Sequence, residues 1–214
     1  MQSKSEEIKA VEWLKLSISP DLYIRIKRVV ELALILCLLP ILAVTCVIIV
    51  IAIKIDSSGS AIYRQERIGF RGKKFIIWKF RSMVASENKE TRFTDKNDKR
   101  ITLVGKMLRR FRLDELPQLW NVVQGDMSLI GPRPEQPKFA ERFNHVIPFY
   151  DYRHTIRPGI TGWAQVMYGY ATTEEQAKAK LEFDLYYIKH MSAWLDIVIL
   201  MKTLHTIVVG SGVR

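Results

Sequence analysis

Asp114 and Glu115 stand side by side in RLDELPQLWN (112–121), directly after LRRFR, where Arg109, Arg110 and Arg112 crowd together. Adjacent carboxylates among arginines suit two roles. The plain one is structural: Asp114 caps a helix running from about Glu115 to Val123, Glu115 complements its first turn, and Pro117 is tolerated there. The chemical one is nucleophilic. A helix start is a ready anion site, and a carboxylate placed there can accept a phosphoryl group as an acyl phosphate. The two roles compete for the same side chain.

Further cations sit in stiffened segments. Arg133 lies between prolines in SLIGPRPEQP (128–137), and Arg157 precedes Pro158-Gly159 in IRPGITGWAQV (156–166). An arginine fixed by prolines is pre-organised for bidentate phosphate contact, although each alone also suits a surface loop. Lys79 and Arg81 alternate in FIIWKFRSM, so a strand would show both on one face, either towards an anion or simply towards solvent.

These residues need elements to hold them. AIYRQERIG and FIIWKFRSM flank FRGKK and predict a β-hairpin. The polar, aperiodic stretch 84–100 reads as a loop beside the site. Val104, Met107, Leu108 and Phe111 recur at helical spacing and predict one buried face. A helix from about Thr173 to Val209 closes the chain. It is broken near Met191-Ser192 and stops at Gly210, and its second half, apolar but carrying Asp196, Lys202 and His205, suits a membrane surface.

Ahead of all this, Leu32 to Ile53 holds 22 residues without a charge, long enough to span a bilayer. Pro40 inside the run predicts a kink or break, leaving legs of roughly 12 and 21 Å. Both flanks are basic, with Arg25, Lys27 and Arg28 before and Lys54, Arg64, Arg67 and Arg71 after. Basic flanks favour the cytoplasmic side, so a re-entrant helix and a spanning one both stay open. The helix is expected from Ser19-Pro20, after an amphipathic segment within 1–18. The divisions are thus 1–19, a membrane-inserted helix 20–55 and a domain 56–214 on the cytoplasmic face.

The length of 214 residues suits one domain with an appendage. A net charge of +11 calls for anionic partners: nucleic acid, anionic lipid or a phosphorylated substrate. No helix-turn-helix or RNP-like pattern occurs, so nucleic acid is not an expected partner. Cys37 and Cys46 lie roughly 13 Å apart on a straight helix, too far for a disulfide, and no zinc-like cluster is present.

Four stretches, YRQERIGFRGKKFIIWKFRSM, LRRFRLDELPQLWNVVQGDMSLIGPRPE, RPGITGWAQV and FDLYYIKHMSAWLD, resemble in order and spacing the bacterial sugar transferase family of monotopic phosphoglycosyl transferases. The resemblance implies an α+β fold: a re-entrant helix, a small helix-rich catalytic domain with a β-hairpin, and interfacial amphipathic helices. It implies transfer of a sugar-1-phosphate from a UDP-sugar to undecaprenyl phosphate, with release of UMP, as the first membrane step of exopolysaccharide, capsule or O-antigen assembly. Asp114 falls on the family's nucleophile and Glu115 on its partner, both near Mg2+. Arg109, Arg133 and Arg157 fall on phosphate-site arginines, and Lys79 and Arg81 on the basic strand. Membrane lipids are implied partners, a homodimer is left open, and the place is the cytoplasmic face of the bacterial inner membrane. Larger members carry extra N-terminal helices and a further domain, so this chain resembles a minimal catalytic unit. Three departures matter. Pro40 lies one turn earlier than the family's Ser-Pro, Glu31 replaces an aspartate, and AQVMYGY (164–170) differs where sugar contact is expected. The remaining alternative is a membrane-anchored nucleic-acid-binding or scaffold protein.

Overall fold

A computed structural model of the chain describes residues 21–84, 98, 100–169 and 173–209. The expected cap at Ser19-Pro20, the segment 1–18, most of the 84–100 loop and the stop at Gly210 lie outside these residues.

Helix α1 spans Asp21–Asp56. The hairpin follows as expected, with β1 (Ile62–Ile68) antiparallel to β2 (Lys74–Phe80). Its turn uses left-handed backbone at Arg71 and Gly72 (φ 56° and 70°). Helix α2 (Leu103–Arg110) leads through a 3-10 turn (Leu113–Glu115) into α3 (Gln118–Gln124). A second, parallel pair joins β3 (Ser128–Ile130) to β4 (Gly159–Thr161), with α4 (Pro137–Val146) and a 3-10 segment (Tyr150–Thr155) in the crossover. Short α5 (Trp163–Met167), then α6 (Glu174–His190) and α7 (Ala193–Val209), complete the α+β fold. The break at Met191-Ser192 is where the sequence placed it, and Thr173 with Gln176 forms a capping box at the start of α6.

Two expectations about helices are corrected. Of the kink or break expected at Pro40, the break is absent: α1 runs through it as one helix. A proline costs one backbone hydrogen bond, to the carbonyl four residues back, and the flanking turns keep the rest. On α2, Leu108 is buried and Val104 packs against the same core, but Met107 is 60% and Phe111 39% exposed. The buried side is completed by Gly105, which lies directly against Ser82. A Cβ there would meet the Ser82 carbonyl oxygen at 2.0 Å. The Thr102 amide donates to that carbonyl (3.2 Å), while the Thr102 side chain accepts from the Gly105 amide (2.9 Å). The start of α2 is thereby clamped to the end of the hairpin. Gly105→Ala should lower stability by about 1–3 kcal/mol, the usual cost of overpacking against backbone, and an unchanged melting temperature would contradict this packing.

Both legs of α1 pack on one body. Before Pro40, Ile35 shares a core with Ile77, Val122 and Met127. Lys27 donates to the Ile130 carbonyl (2.8 Å) and the Tyr187 hydroxyl (2.6 Å), and pairs with Asp196 (2.9 Å). Glu31 accepts from the Ser128 hydroxyl and the Leu129 amide. After Pro40, Ile49 and Ile53 share a core with Ala61, Phe80 and Leu108. Between these anchors Leu36, Ile41 and Val44 stand exposed.

Candidate active site

The dyad sits on an unusual local backbone. Arg112 is left-handed (φ 54°), a conformation costing a non-glycine residue roughly 1–2 kcal/mol. It reverses the chain between α2 and the 3-10 turn that carries Asp114 and Glu115. The capping reading is corrected here. Neither the turn nor α3 has a side-chain cap, and α3 begins at Gln118 rather than Glu115. A cap residue must precede the helix on extended backbone, whereas Asp114 already lies inside the turn. The Arg112 carbonyl accepts from the Glu115 amide (3.2 Å) to close the turn, and the Asp114 carboxylate takes no part in capping it.

Glu115 points inward and is buried. Its Oε1 accepts from Lys79 Nζ at 2.8 Å and from Arg133 Nη2 at 2.6 Å. The structure thus brings Lys79, Arg133 and the dyad together from three separate segments. Lys79 reaches Glu115 because it shares the face of β2 that buries Ile77. Asn121, fully buried on α3, fixes that register by donating to the Ile76 carbonyl (2.7 Å) and accepting from the Trp78 amide (3.2 Å). An asparagine amid apolar neighbours in a helix was the one sequence signal for this clamp, since such a residue needs a partner.

The two carboxylates divide the charge unequally. Burial alone would push Glu115 up, but Arg133 and Lys79 hold it well below the usual carboxylate range. Asp114 goes the other way. Burial and then the Glu115 charge raise it, against the opposing pull of Lys79, Arg109 and Arg133. Among the described residues neither Asp114 oxygen has a hydrogen-bond partner, and neither does Glu115 Oε2. Arg109 is near enough to act on Asp114. Its Nη2 lies 3.6 Å from the Met83 sulfur, and its Nη1 is buried without a hydrogen-bond partner.

Two expected phosphate ligands lie elsewhere. Arg81 donates to the carbonyls of Ser57 and Ser58 and to the Ser57 hydroxyl, closing the turn after α1. It falls past the end of β2, so the period-two pairing with Lys79 does not reach it. Arg157 donates through Nε to the Gly125 carbonyl (2.8 Å) at the opposite end of α3, with its guanidinium over Phe70.

Among the described residues no group of three or more His, Cys, Asp or Glu side chains comes together. That pattern does not disfavour Mg2+, which is commonly held by one or two carboxylates with substrate phosphates completing its shell. The Asp114 oxygens and Glu115 Oε2, without hydrogen-bond partners among the described residues, fit such a donor set.

A carboxylate pair braced by a lysine and an arginine thus stands on a small α+β body that carries a long apolar helix. The chain belongs to the bacterial sugar transferase family, whose model matches residues 22–210. It is 46% identical over 194 residues, 90% of this chain and 46% of the relative, to a UDP-N-acetylgalactosamine-undecaprenyl-phosphate N-acetylgalactosaminephosphotransferase of Aeromonas hydrophila. It is 40% identical over 208 residues, 95% of this chain and 45% of the relative, to a UDP-glucose:undecaprenyl-phosphate glucose-1-phosphate transferase of Escherichia coli K12. A Bacillus subtilis protein named as a putative undecaprenyl-phosphate N-acetylgalactosaminyl 1-phosphate transferase is 41% identical over 152 residues, 71% of this chain and 85% of its own length. The chain therefore spans about half the length of the first two relatives and most of the third.

Proposed function

We propose that this chain transfers a sugar-1-phosphate from a UDP-sugar to undecaprenyl phosphate through an aspartyl intermediate on Asp114. The observation that carries the reading is the division of labour in the dyad: Glu115 takes the Lys79 and Arg133 contacts, while among the described residues Asp114 has no hydrogen-bond partner. The relatives' substrates agree with it.

In the first step an Asp114 oxygen attacks the sugar-bearing phosphorus of the UDP-sugar. The bond from that phosphorus to the bridging oxygen breaks, and UMP leaves with the electron pair. In the second step an oxygen of undecaprenyl phosphate attacks the same phosphorus, the acyl phosphate bond breaks, and Asp114 returns as carboxylate. Glu115 holds Lys79 and Arg133 in place, and Arg109, Lys79 and Arg133 supply positive charge where the transferring group gains negative charge. Mg2+, held by Asp114 and Glu115, would neutralise the diphosphate. Turnover of a panel of UDP-sugars with undecaprenyl phosphate and magnesium, scored by UMP release, tests the reading. No release with any sugar by protein that is folded would remove it.

The reading extends to the membrane. Exposed apolar residues on α1, α2, α3 and α7, among them Ile41, Met107, Trp120 and Trp194, form a surface that lipid would cover. A re-entrant α1 on the cytoplasmic face of the inner membrane accounts for two legs packed on one domain, since a straight spanning helix would separate them by the bilayer. With Cys37 and Cys46 replaced, Arg25→Cys and Ser58→Cys should both react with an impermeant maleimide from the same side of the membrane. Labelling from opposite sides would refute the re-entrant arrangement.

A further inference from the structure

Behind the dyad lies a second group of charged side chains that the chemistry does not touch. Arg153 and Asp184 are buried and pair at 2.7 Å, Lys180 pairs with Glu135 at 2.8 Å, and the Tyr150 hydroxyl accepts from Arg153 Nη1. Buried ion pairs are a weak source of stability, because desolvation offsets most of their attraction. Their connections suggest another use. Arg153 Nη2 donates to the Arg133 carbonyl at 2.9 Å, Arg67 Nη1 donates to the Pro134 carbonyl at 3.2 Å, and the Ile68 amide donates to the Glu135 carbonyl at 2.9 Å. Three consecutive carbonyls are each gripped from outside their own segment. The Glu135 side chain is gripped too. Burial would push it up, yet Lys180 and Arg153 bring it down to about 2, so it stays ionised.

We infer that Arg153 and Arg67 are positioning residues, which fix the Arg133-Pro134-Glu135 backbone so that the Arg133 guanidinium lands on Glu115 and sets the charge around Asp114. The inference rests on the proposed aspartyl chemistry. Arg153 is suited to it because one planar fork serves Tyr150, Asp184 and the Arg133 carbonyl together, which a lysine ammonium does not reproduce. Arg67 acts from the hairpin side, so the segment is held between β1 and α6.

Arg153→Lys retains a cation beside Asp184, so a folded protein is expected, and it should lose at least about tenfold in kcat with a smaller change in KM. Arg67→Gln should lose less, with the same split between kcat and KM. Leu181→Ala, which opens a cavity in the adjoining core, should lower the melting temperature and keep kcat within about twofold of wild type. Wild-type kcat in both arginine variants would overturn the inference, as would an equal loss in Leu181→Ala. Absence of turnover in the wild-type protein is a failure of the proposed function instead. In that case a crystal structure of Arg153→Lys still decides the positioning, with an unmoved Arg133–Glu115 contact counting against it.

Discussion

Asp114→Asn should reduce sugar-phosphate transfer by at least about a thousandfold while leaving the protein folded. The substitution keeps the shape and removes only the charge and the nucleophilic oxygen. An amide cannot form the acyl phosphate, so the first step has no route. Stability should hold or rise. The Asp114 carboxylate is pushed up by burial and by the Glu115 charge, which means that its ionised form is disfavoured in the folded protein. Above the folded value that penalty is present, and the amide lacks it. No helix cap is lost either, because neither the turn nor α3 has a side-chain cap. The check has two parts. UMP release reads the loss. Intact mass after incubation with UDP-sugar and no lipid acceptor should show a sugar-phosphate adduct on wild type and none on Asp114→Asn. Full turnover in the variant would sink the aspartyl mechanism, and an adduct retained there would move the nucleophile elsewhere.

The capping question shows what sequence could and could not carry. Residue types at 112–117 were enough to find the dyad, and both candidate roles were visible. Choosing between them required the φ angle of Arg112, which no propensity predicts, since arginine is rarely left-handed. The hairpin, the break at Met191-Ser192 and the long apolar helix were legible because period, turn chemistry and length each report locally. The β3–β4 pair was not, since each strand is three residues long and sits in Gly/Pro-rich sequence that reads as loop. Met107 and Phe111 of α2 were misread for a related reason: apolar periodicity marks a face but does not say how much of it the core covers. Lys79 and Arg133 were found by charge and by proline, but their meeting on Glu115 is a long-range fact. Arg153, Asp184 and Lys180 were missed altogether, and Arg67 was read only as a basic flank of the apolar run. In a chain with 33 lysines and arginines, nothing local separates a buried cation from a solvated one.

Glu115→Gln tests the other half of the dyad and should move the acidic limb of the pH profile downward. Glu115 accepts from Lys79 and Arg133 through one oxygen, and a glutamine carbonyl can take those bonds without the charge. Hydrogen bonds to charged groups contribute about 1.5–3 kcal/mol each, so some stability is lost, and a lower melting temperature is expected. Removing the Glu115 charge also removes one of the two influences that raise Asp114, while Lys79, Arg109 and Arg133 still pull it down. Asp114 then ionises at lower pH, and the acidic limb of the profile should shift downward. The rate at the plateau should nevertheless fall by about a hundredfold. With no carboxylate to neutralise them, Lys79 and Arg133 turn their charge onto Asp114 and make it a poorer nucleophile. A downward limb with a reduced plateau is therefore the signature of Glu115 acting as the counter-charge that keeps Asp114 reactive. An upward shift, or a loss of rate with the limb unmoved, would mean that Glu115 is not the counter-charge of Asp114 and that the inequality within the dyad has another purpose.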